Sequence, residues 1–319
     1  SNDSQTSRFE INEGYQVPYI EFVKSLTSKP VVGVGRLTSP DLMARLIKQQ
    51  TIDLIGAARP SIADPFLPNK IKEGRIDEIR ECIGCNICVS SDNLSVPIRC
   101  TQNPTMGEEW RRGWHPEKIK PRKTEQTALV VGSGPAGLEC SMQLARRGYH
   151  VILSEGASEL GGRVLLESDL KGLSAWKRVV DNRVYEIQQK TNIEIYRESE
   201  LTLSHINELD INNIFIATGS NWRVDGIGRS RRKEITGLDN IQVLTPTDAI
   251  RKQDSIKDPL VIYDDDQGYL AGVIADHLSS LGRNVTFVTP ASIVSPWTVS
   301  TLEQQRIQKS LLNQNVNII

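Results

Sequence analysis

The stretch from Ala128 to Glu155, ALVVGSGPAGLECSMQLARRGYHVILSE, decides the fold. A β-branched run leads directly into Gly132-x-Gly134-x-x-Gly137, and a helical pattern follows before a second strand pattern that ends in the glutamate. The glycine spacing alone is weak evidence. With a strand before it, a helix after it and an acidic residue about 20 positions further on, it forms the full dinucleotide-binding fingerprint. The sequence therefore predicts a parallel α/β fold with a nucleotide site.

Each residue of this fingerprint has a predicted task. Gly132 permits the tight turn, Gly134 lets the backbone approach a pyrophosphate, and Gly137 allows close packing of helix on strand. The pyrophosphate would lie at the helix N-terminus, where unpaired N–H groups and the helix dipole favour negative charge. Glu155 would accept hydrogen bonds from the ribose hydroxyls, and its charge disfavours a 2′-phosphate. The alternative is a glycine-rich turn without a ligand.

A second unit of the same kind follows, but its turn is altered. The strand LVIYDDD begins at Leu260, a helix is predicted from Gly268 to Leu281, and the strand NVTFVTP comes next. Of the three glycines of the first motif, only the middle one has a counterpart here, Gly268. The position of the turn glycine holds Asp266, which follows two further aspartates. Carboxylates at a helix N-terminus suit the dipole themselves and would repel a pyrophosphate. We predict that this unit does not bind NAD(P)H.

Two strand patterns near the start of the sequence each precede an arginine. KPVVGVG (Lys29–Gly35) and IDLIGA (Ile52–Ala57) read as buried parallel strands. A helix separates them, with Ser39 as its predicted N-cap and Pro40 in its first turn. Arg36 and Arg59 follow the two strands. In (β/α)8 barrels, the loops after the last two strands commonly bind a phosphate, so these arginines suit the phosphate of a flavin mononucleotide. Ordinary surface arginines are the alternative.

Four of the five cysteines lie close together in the sequence, in a C-x2-C-x2-C-x11-C pattern: Cys82, Cys85, Cys88 and Cys100. Disulfides would need an oxidising compartment, and Cys140 leaves an odd number. Zinc prefers two C-x2-C pairs separated by a longer loop. Three thiolates this close favour a larger acceptor, a [4Fe-4S] cluster with its fourth corner held by the distant cysteine. Zinc and free thiols stay open as alternatives.

Composition excludes few functions beyond these. The chain has 319 residues with 38% hydrophobic and 24% charged residues and a net charge of −1, which suits a soluble protein of two domains. Bulk charge favours neither nucleic acid nor an anionic membrane, and no apolar run reaches the ~18 residues of a membrane helix. The basic run Arg229–Lys233 is predicted to be a solvated loop, with a phosphate or partner contact as the alternative. His115, within the predicted linker Arg111–Thr127, is expected to be structural or exposed.

Both ends of the sequence look cut. Ser1–Arg8 is a polar lead-in without an initiator methionine, and NQNVNII stops in a strand pattern. We expect an internal fragment of a longer protein.

The order of these motifs, followed by Ala-Thr-Gly after the strand in Asn212–Ser220, resembles the old-yellow-enzyme-related iron–sulfur flavoproteins. These include trimethylamine, dimethylamine and histamine dehydrogenases and 2,4-dienoyl-CoA reductase. The similar stretches are GRLTSPDLMARLI, ARPSIADPF, CIGCNIC, CTQNP, RRGWHPEK and TPASIVSPWTVSTLEQQRIQ, and the resemblance begins near Phe9. The second and third cysteines are separated by only two residues, Asn86 and Ile87, and this spacing is similar to that of the amine-dehydrogenase branch.

The resemblance implies the C-terminal end of a (β/α)8 (TIM) barrel, a [4Fe-4S] loop, and Rossmann-like domains of the FAD/NAD-linked reductase type. The implied domains are 1–80 (barrel end), 81–127 (cluster loop and linker), 128–250 (FAD- or ADP-binding) and 251–319 (degenerate second unit). The implied cluster ligands are Cys82, Cys85, Cys88 and Cys100. Implied cofactor contacts are Gly35, Arg36, Ala58 and Arg59 for FMN, and Gly132, Gly134, Gly137, Glu155, Gly162, Arg163, Thr218 and Gly219 for FAD or ADP. Catalytic residues are expected upstream of Ser1.

The implied reaction is FMN- and cluster-dependent oxidation, or N-demethylation, of an amine, with electrons passed to an electron-transferring flavoprotein. A cytoplasmic location and a possible homodimer are also implied. One departure is Asp92, which stands where the methylamine enzymes carry an aromatic cage residue, so a carboxylate–cation pair or a larger amine substrate is expected. The alternatives are an NAD(P)H-dependent enoate or 2,4-dienoyl-CoA reductase and a non-catalytic remnant.

Overall fold

A computed structural model describes residues 13–319 of the chain. The lead-in Ser1–Arg8 and the start of the resemblance near Phe9 lie outside the described residues. No helix within the described part is both long enough and apolar enough to cross a lipid bilayer.

The strands and helices alternate along most of the chain. The strands are β1 Val32–Gly33, β2 Leu54–Ile55, β3 Ala128–Val131, β4 Val151–Ser154, β5 Ile193–Tyr196, β6 Asn213–Ile216, β7 Leu260–Tyr263, β8 Val285–Val288 and β9 Asn317–Ile318. The helices are α1 Val17–Ile20, α2 Pro40–Lys48, α3 Ala58–Ala63, α4 Leu67–Lys72, α5 Ile87–Asn93, α6 Glu109–Arg112, α7 Pro135–Arg146, α8 Arg163–Glu167, α9 Arg178–Gln188, α10 Leu203–Glu208, α11 Pro246–Arg251, α12 Leu270–Ser280 and α13 Gln304–Asn313.

Every strand pair in these residues is parallel, which confirms the predicted α/β class. The strands form a pair β1-β2, a four-stranded sheet β5-β4-β3-β6 and a three-stranded sheet β7-β8-β9. In the larger sheet Ala128 pairs with Val151 on one side and Asn213 on the other, so β3 is central. This arrangement places the carboxyl ends of β3, β4 and β6 at one edge, where ligands of such sheets bind.

The chain divides into two compact units. The first contains the residues up to Leu165 together with Ala175–Gly219, and the second contains Leu166–Ser174 and Ser220–Ile319.

The core of the first unit lies between the four-stranded sheet and its helices. All four residues of β3 are buried, and Leu138 and Met142 of α7 pack against this sheet at 0% and 1% exposure. Val180 and Ile187 of α9 complete the same cluster. Burying a side chain of this size contributes about 1.5–3 kcal/mol, so this cluster holds the glycine-rich turn rigidly at the sheet edge.

The barrel-end strands are shorter than the sequence predicts. Only Val32–Gly33 and Leu54–Ile55 form a ladder, because each strand pairs with the other alone within the described residues. Val31 and Ile52 point into a second core cluster, which also contains residues of α2 and α4.

The second unit packs α12 and α13 against its three-stranded sheet. Phe287 of β8 is fully buried at 0% exposure, and Leu278 and Leu311 from the two helices are buried as well. The helices come so close at Gly272 that a Cβ there would lie 2.5 Å from a methyl group of Ile307. The predicted helix Gly268–Leu281 is present as α12, which begins at Leu270.

Candidate functional site

The glycine-rich turn after β3 is shaped by contacts that exclude side chains. Gly132 has φ +98°, and a Cβ there would lie 2.5 Å from the Ala217 carbonyl oxygen and 3.1 Å from the Thr218 Cα. At Gly137 a Cβ would lie 1.8 Å from the Gly132 carbonyl oxygen. Because real Cβ atoms do not approach backbone this closely, the turn and the start of α7 need glycine at both positions.

Gly134 differs from its two neighbours in the motif. A Cβ there would meet nothing within 4 Å, although Gly134 is the N-cap residue of α7. The open space therefore lies above a helix N-terminus, where backbone N–H groups attract an anion. Gly162 borders the same space, since its Cβ would lie 3.1 Å from the Gly134 Cα, and Arg163 follows it at the start of α8.

Glu155 follows β4 and is tied to this turn. Its Oε2 accepts hydrogen bonds from the Ser133 backbone N–H at 2.8 Å and hydroxyl at 2.6 Å, and its Oε1 accepts one from the Ala157 N–H at 2.8 Å. Burial alone would raise the pKa of Glu155, but these hydrogen bonds outweigh it and lower the pKa. An ionised carboxylate accepts about four hydrogen bonds, which leaves capacity for a ribose hydroxyl. The ribose contact stays a prediction.

Thr218 and Gly219 lie directly after β6, where the strand passes the glycine-rich turn. Gly219 has φ +74°, and a Cβ added there would have no atom within 4 Å, so the backbone at Gly219 faces open space. The structure thus gathers the sequence-predicted adenine-nucleotide residues of β3, β4 and β6 at one sheet edge. An open helix N-terminus beside an acidic residue fits the ADP part of FAD or ADP itself.

The four clustered cysteines lie within electrostatic range of one another. In addition to burial, the neighbouring charges of Cys85 and Cys100 raise the pKa of Cys82, and those of Cys82 and Cys85 raise the pKa of Cys88. All five cysteines of the chain are free of disulfides. Within residues 13–319, no group of three or more His, Cys, Asp or Glu residues is arranged to hold a metal ion. In a [4Fe-4S] cluster each cysteine binds a different iron, so the four sulfurs need not share one ion.

Burial dominates the chemistry of these thiols. It raises the pKa of Cys82 to about 11 and also raises the pKa of Cys88 and Cys100. Buried thiolates are costly unless positive charge compensates them, which ligated iron supplies. The Gly84 N–H donates to the Cys82 sulfur at 3.4 Å, and the Thr101 hydroxyl lies 2.8 Å from the Cys85 sulfur. Hydrogen bonds to sulfur of this kind tune iron–sulfur clusters. The donor set fits a [4Fe-4S] cluster.

The fourth cysteine is held beside the others by the residues that follow it. Gln102, 1% exposed, donates from Nε2 to the Glu81 carbonyl oxygen at 3.0 Å. Asn103 donates to the Ile62 carbonyl oxygen at 3.1 Å. Arg183 of α9 then donates to the Gln102 side-chain oxygen at 2.9 Å. These roles were not predicted from the sequence, although Gln102 and Asn103 lie in the stretch CTQNP that contributes to the resemblance.

Arg36 and Arg59, the arginines predicted to bind phosphate, lie next to the segment that carries Cys82, Cys85 and Cys88, called the cysteine loop below. Gly35 has φ +122° and Arg36 φ +55°, so the chain turns sharply after β1. Burial lowers the pKa of Arg36 and the Glu13 carboxylate opposes this, while the nearby charge of Arg59 lowers the pKa further. Ala58 and Arg59 begin α3, and the Arg59 guanidinium donates to the Asn86 side-chain oxygen at 2.6 Å. Two cations this close to each other fit a phosphate group.

In the second unit, the turn after β7 is contacted by Ser230 of the same chain. The backbone N–H of Ser230 donates to the Asp265 carboxylate at 2.9 Å, and Gln267 donates to the Ser230 hydroxyl at 2.9 Å. Asp264 is 2% exposed, and burial raises its pKa to about 6. The basic run Arg229–Lys233 therefore lies over this acidic turn, with its side chains exposed.

Comparison with family models separates two parts of the chain. Residues 122–319 match the pyridine nucleotide-disulphide oxidoreductase model. The chain belongs to this family. Residues 1–78 also match the NADH:flavin oxidoreductase / NADH oxidase family. The two matches confirm the predicted barrel end and the Rossmann-like fold.

The chain is similar to amine dehydrogenases and an amine oxidase over nearly its whole length. Dimethylamine dehydrogenase from a Hyphomicrobium species is 38% identical over 99% of this chain. Solved structures of histamine dehydrogenase from a Rhizobium species and of 6-hydroxypseudooxynicotine amine oxidase from Pseudomonas geniculata are 49% and 48% identical, each with a TM-score of 0.94 over 99% of the chain. The chain spans 44%, 46% and 47% of these three relatives, respectively. The predicted resemblance to the amine-dehydrogenase branch is confirmed.

Proposed function

We propose that the polypeptide containing these residues is an iron–sulfur flavoprotein that oxidises an amine at a C–H bond beside nitrogen. The substrate is then a small amine, and the electrons pass to a separate protein, for which we propose an electron-transferring flavoprotein. The chemistry of the relatives supports the amine, since they include a dimethylamine dehydrogenase and a histamine dehydrogenase.

One observation carries the proposal: Arg36 and Arg59, which we propose bind phosphate, lie beside the cysteine loop in the first unit. Arg36 and Arg59 are within electrostatic range of each other, and both are within range of Cys82. If the arginines hold the phosphate of FMN, the flavin is bound next to the cluster. FMN held by these arginines would supply two-electron chemistry for oxidation of the amine, and a [4Fe-4S] cluster held by the four cysteines would supply one-electron transfer.

The residues of the first unit then have distinct tasks. Arg36 and Arg59 bind the phosphate, and the sharp turn at Gly35 brings the backbone to the same place. Backbone N–H groups donate to the Cys82 and Cys100 sulfurs and stabilise their thiolates. Gly134 and Glu155 orient an adenine nucleotide at the edge of the larger sheet.

The acidic turn of the second unit favours amine oxidation over NAD(P)H-driven enoate reduction. A pyrophosphate there would meet Asp264, Asp265 and Asp266 and would have to displace the Ser230 backbone from its carboxylate partner. Placing a dianionic ligand against these carboxylates is unfavourable. The electrons of the reaction therefore come from the amine.

The test uses the full-length protein, purified without oxygen. Iron and acid-labile sulfide should each be about four per chain, and flavin should be present. A panel containing dimethylamine, histamine and sarcosine is then added, and flavin absorbance is recorded. At least one amine should bleach the flavin, whereas NADH and NADPH should not. Bleaching by NADH or NADPH, with reoxidation by an enoate, would establish the reductase instead. A protein with no flavin and no cluster would be the non-catalytic remnant.

A further inference from the structure

Asn86 occupies an unusual place inside the cysteine loop. It lies between Cys85 and Cys88, has a left-handed backbone conformation (φ 56°), and is 1% exposed. A buried amide at such a position needs hydrogen-bond partners, and its Oδ1 accepts one from Arg59 Nη1 at 2.6 Å. The arginine that the sequence assigns to the FMN phosphate thus also holds the loop.

The Arg59 charge is also held close to the cysteines. Asn86 lies between Cys85 and Cys88, so the guanidinium that it binds is placed beside two of the four residues that would hold the cluster. A positive charge at this place favours any negative charge added there. The contact with Asn86 fixes where this charge sits, because it restrains a long and otherwise flexible side chain.

We propose that Arg59 is a positioning residue for the cluster: it holds the Cys85–Cys88 loop through Asn86 and raises the reduction potential of the cluster. The inference rests on the proposed function, because it requires that the four cysteines bind iron and sulfide. Reduction by one electron from the flavin adds one negative charge to the loop, with no covalent bond made or broken. The guanidinium stabilises this charge more than it stabilises the oxidised cluster.

Two variants test the proposal in the full-length holoprotein. Arg59→Gln removes the charge. Asn86→Asp keeps the shape of the side chain and is tolerated in a left-handed conformation, but it places a carboxylate against Arg59. Each variant should shift the one-electron reduction equilibrium about tenfold toward the oxidised cluster. This shift lowers the reduction potential of the cluster by about 59 mV. Arg59→Lys keeps the charge and should recover at least half of the shift.

The measurement is a redox titration of the cluster followed by electron paramagnetic resonance, which reads the cluster independently of FMN occupancy. Arg75→Gln is the matched control, since Arg75 is a partly exposed arginine paired with Glu73 and Glu78, and its loss should leave the potential unchanged. An unchanged potential in both Arg59→Gln and Asn86→Asp, with iron and sulfide intact, would overturn the inference. Absence of iron and sulfide from the unmodified protein would instead overturn the proposed function.

Discussion

The Arg178 guanidinium lies 3.0 Å from the carboxylate of Glu81, the residue that directly precedes Cys82 in the cysteine loop. It also lies 3.1 Å from Glu13 and donates to the Cys82 carbonyl oxygen at 3.4 Å. Arg178 is the first residue of α9, so a helix that packs on the four-stranded sheet is joined directly to the cysteine loop. Burial raises the pKa of Glu81, and Arg178 is the main influence that opposes this.

Replacing Arg178 should destabilise the first unit. Arg178→Met keeps most of the side-chain volume but leaves Glu13 and Glu81 without their shared cation. A fully buried pair broken in this way costs about 3–5 kcal/mol, and partial exposure here reduces the expected loss to about 2 kcal/mol. Urea unfolding should show it. Arg75→Met, at an exposed ion pair, should change the free energy of unfolding by less than about 1 kcal/mol. Equal effects of both variants would contradict the assigned role.

Replacing one cysteine of the loop should remove the cluster. In Cys88→Ser, the cluster should be lost or fall below roughly half occupancy in iron and sulfide analysis, because one iron has no thiolate ligand. Cys140→Ser is the matched control, since Cys140 lies in α7 and should keep full iron content. Equal iron content in the two variants would exclude Cys88 as a ligand.

Two glycines of the same turn should respond differently to alanine. Gly137→Ala forces a Cβ to within 1.8 Å of a carbonyl oxygen and should destabilise the fold by more than about 2 kcal/mol. At Gly134 the Cβ meets nothing within 4 Å, so Gly134→Ala should fold normally. The added methyl group fills the predicted pyrophosphate space, and we expect ADP affinity to fall about tenfold or more in calorimetry. Unchanged ADP binding in Gly134→Ala would place the nucleotide elsewhere.

The second unit should gain stability when its buried acid is neutralised. The pKa of Asp264 is raised from 3.8 to about 6, so the folded state holds a proton that the unfolded state has released, and stability falls as pH rises through this window. Asp264→Asn should therefore stabilise the protein by about 1–3 kcal/mol near pH 8 and by much less near pH 4.

Asp266→Asn serves as the control, because Asp266 is exposed on the same turn. Its effect should stay within about 0.5 kcal/mol at both pH values. A gain for Asp264→Asn that does not depend on pH would mean that packing, and not charge, is responsible.

Local sterics made much of this structure predictable. Gly132 and Gly137 follow from the turn geometry of a short motif, and the structure shows the close backbone approaches that such a motif requires. The start of α2 was also predicted, with Ser39 at the N-cap position and Pro40 in the first turn. The Ser39 hydroxyl, however, donates to Glu13 at 2.9 Å and does not cap the helix. A local pattern cannot show that a distant carboxylate competes for the same hydroxyl.

Residues that act across long sequence separations were not predictable in this way. Arg178 meets Glu13 across 165 positions, and Arg183 meets Gln102 across 81. A single arginine in a helix, whether at its start like Arg178 or in its middle like Arg183, gives no periodic signal, so only the tertiary structure reveals these contacts. The lengths of β1 and β2 were likewise overestimated, and their burial was too. Val32 and Leu54 are about half exposed, because an apolar run shows neither which of its side chains are buried nor how much of its backbone is paired.

The bond from Arg183 to Gln102 has a consequence for how the protein is made in the cell. Synthesis proceeds from the N-terminus, so all four cysteines emerge from the ribosome well before the arginine that holds the residues after Cys100 in place. Until α9 has been synthesised and has docked, the loop lacks this clamp and its thiols are exposed to oxidation. We expect cluster loading to be late, after α9 has folded, and we expect nascent chains that end before Arg178 to carry no iron.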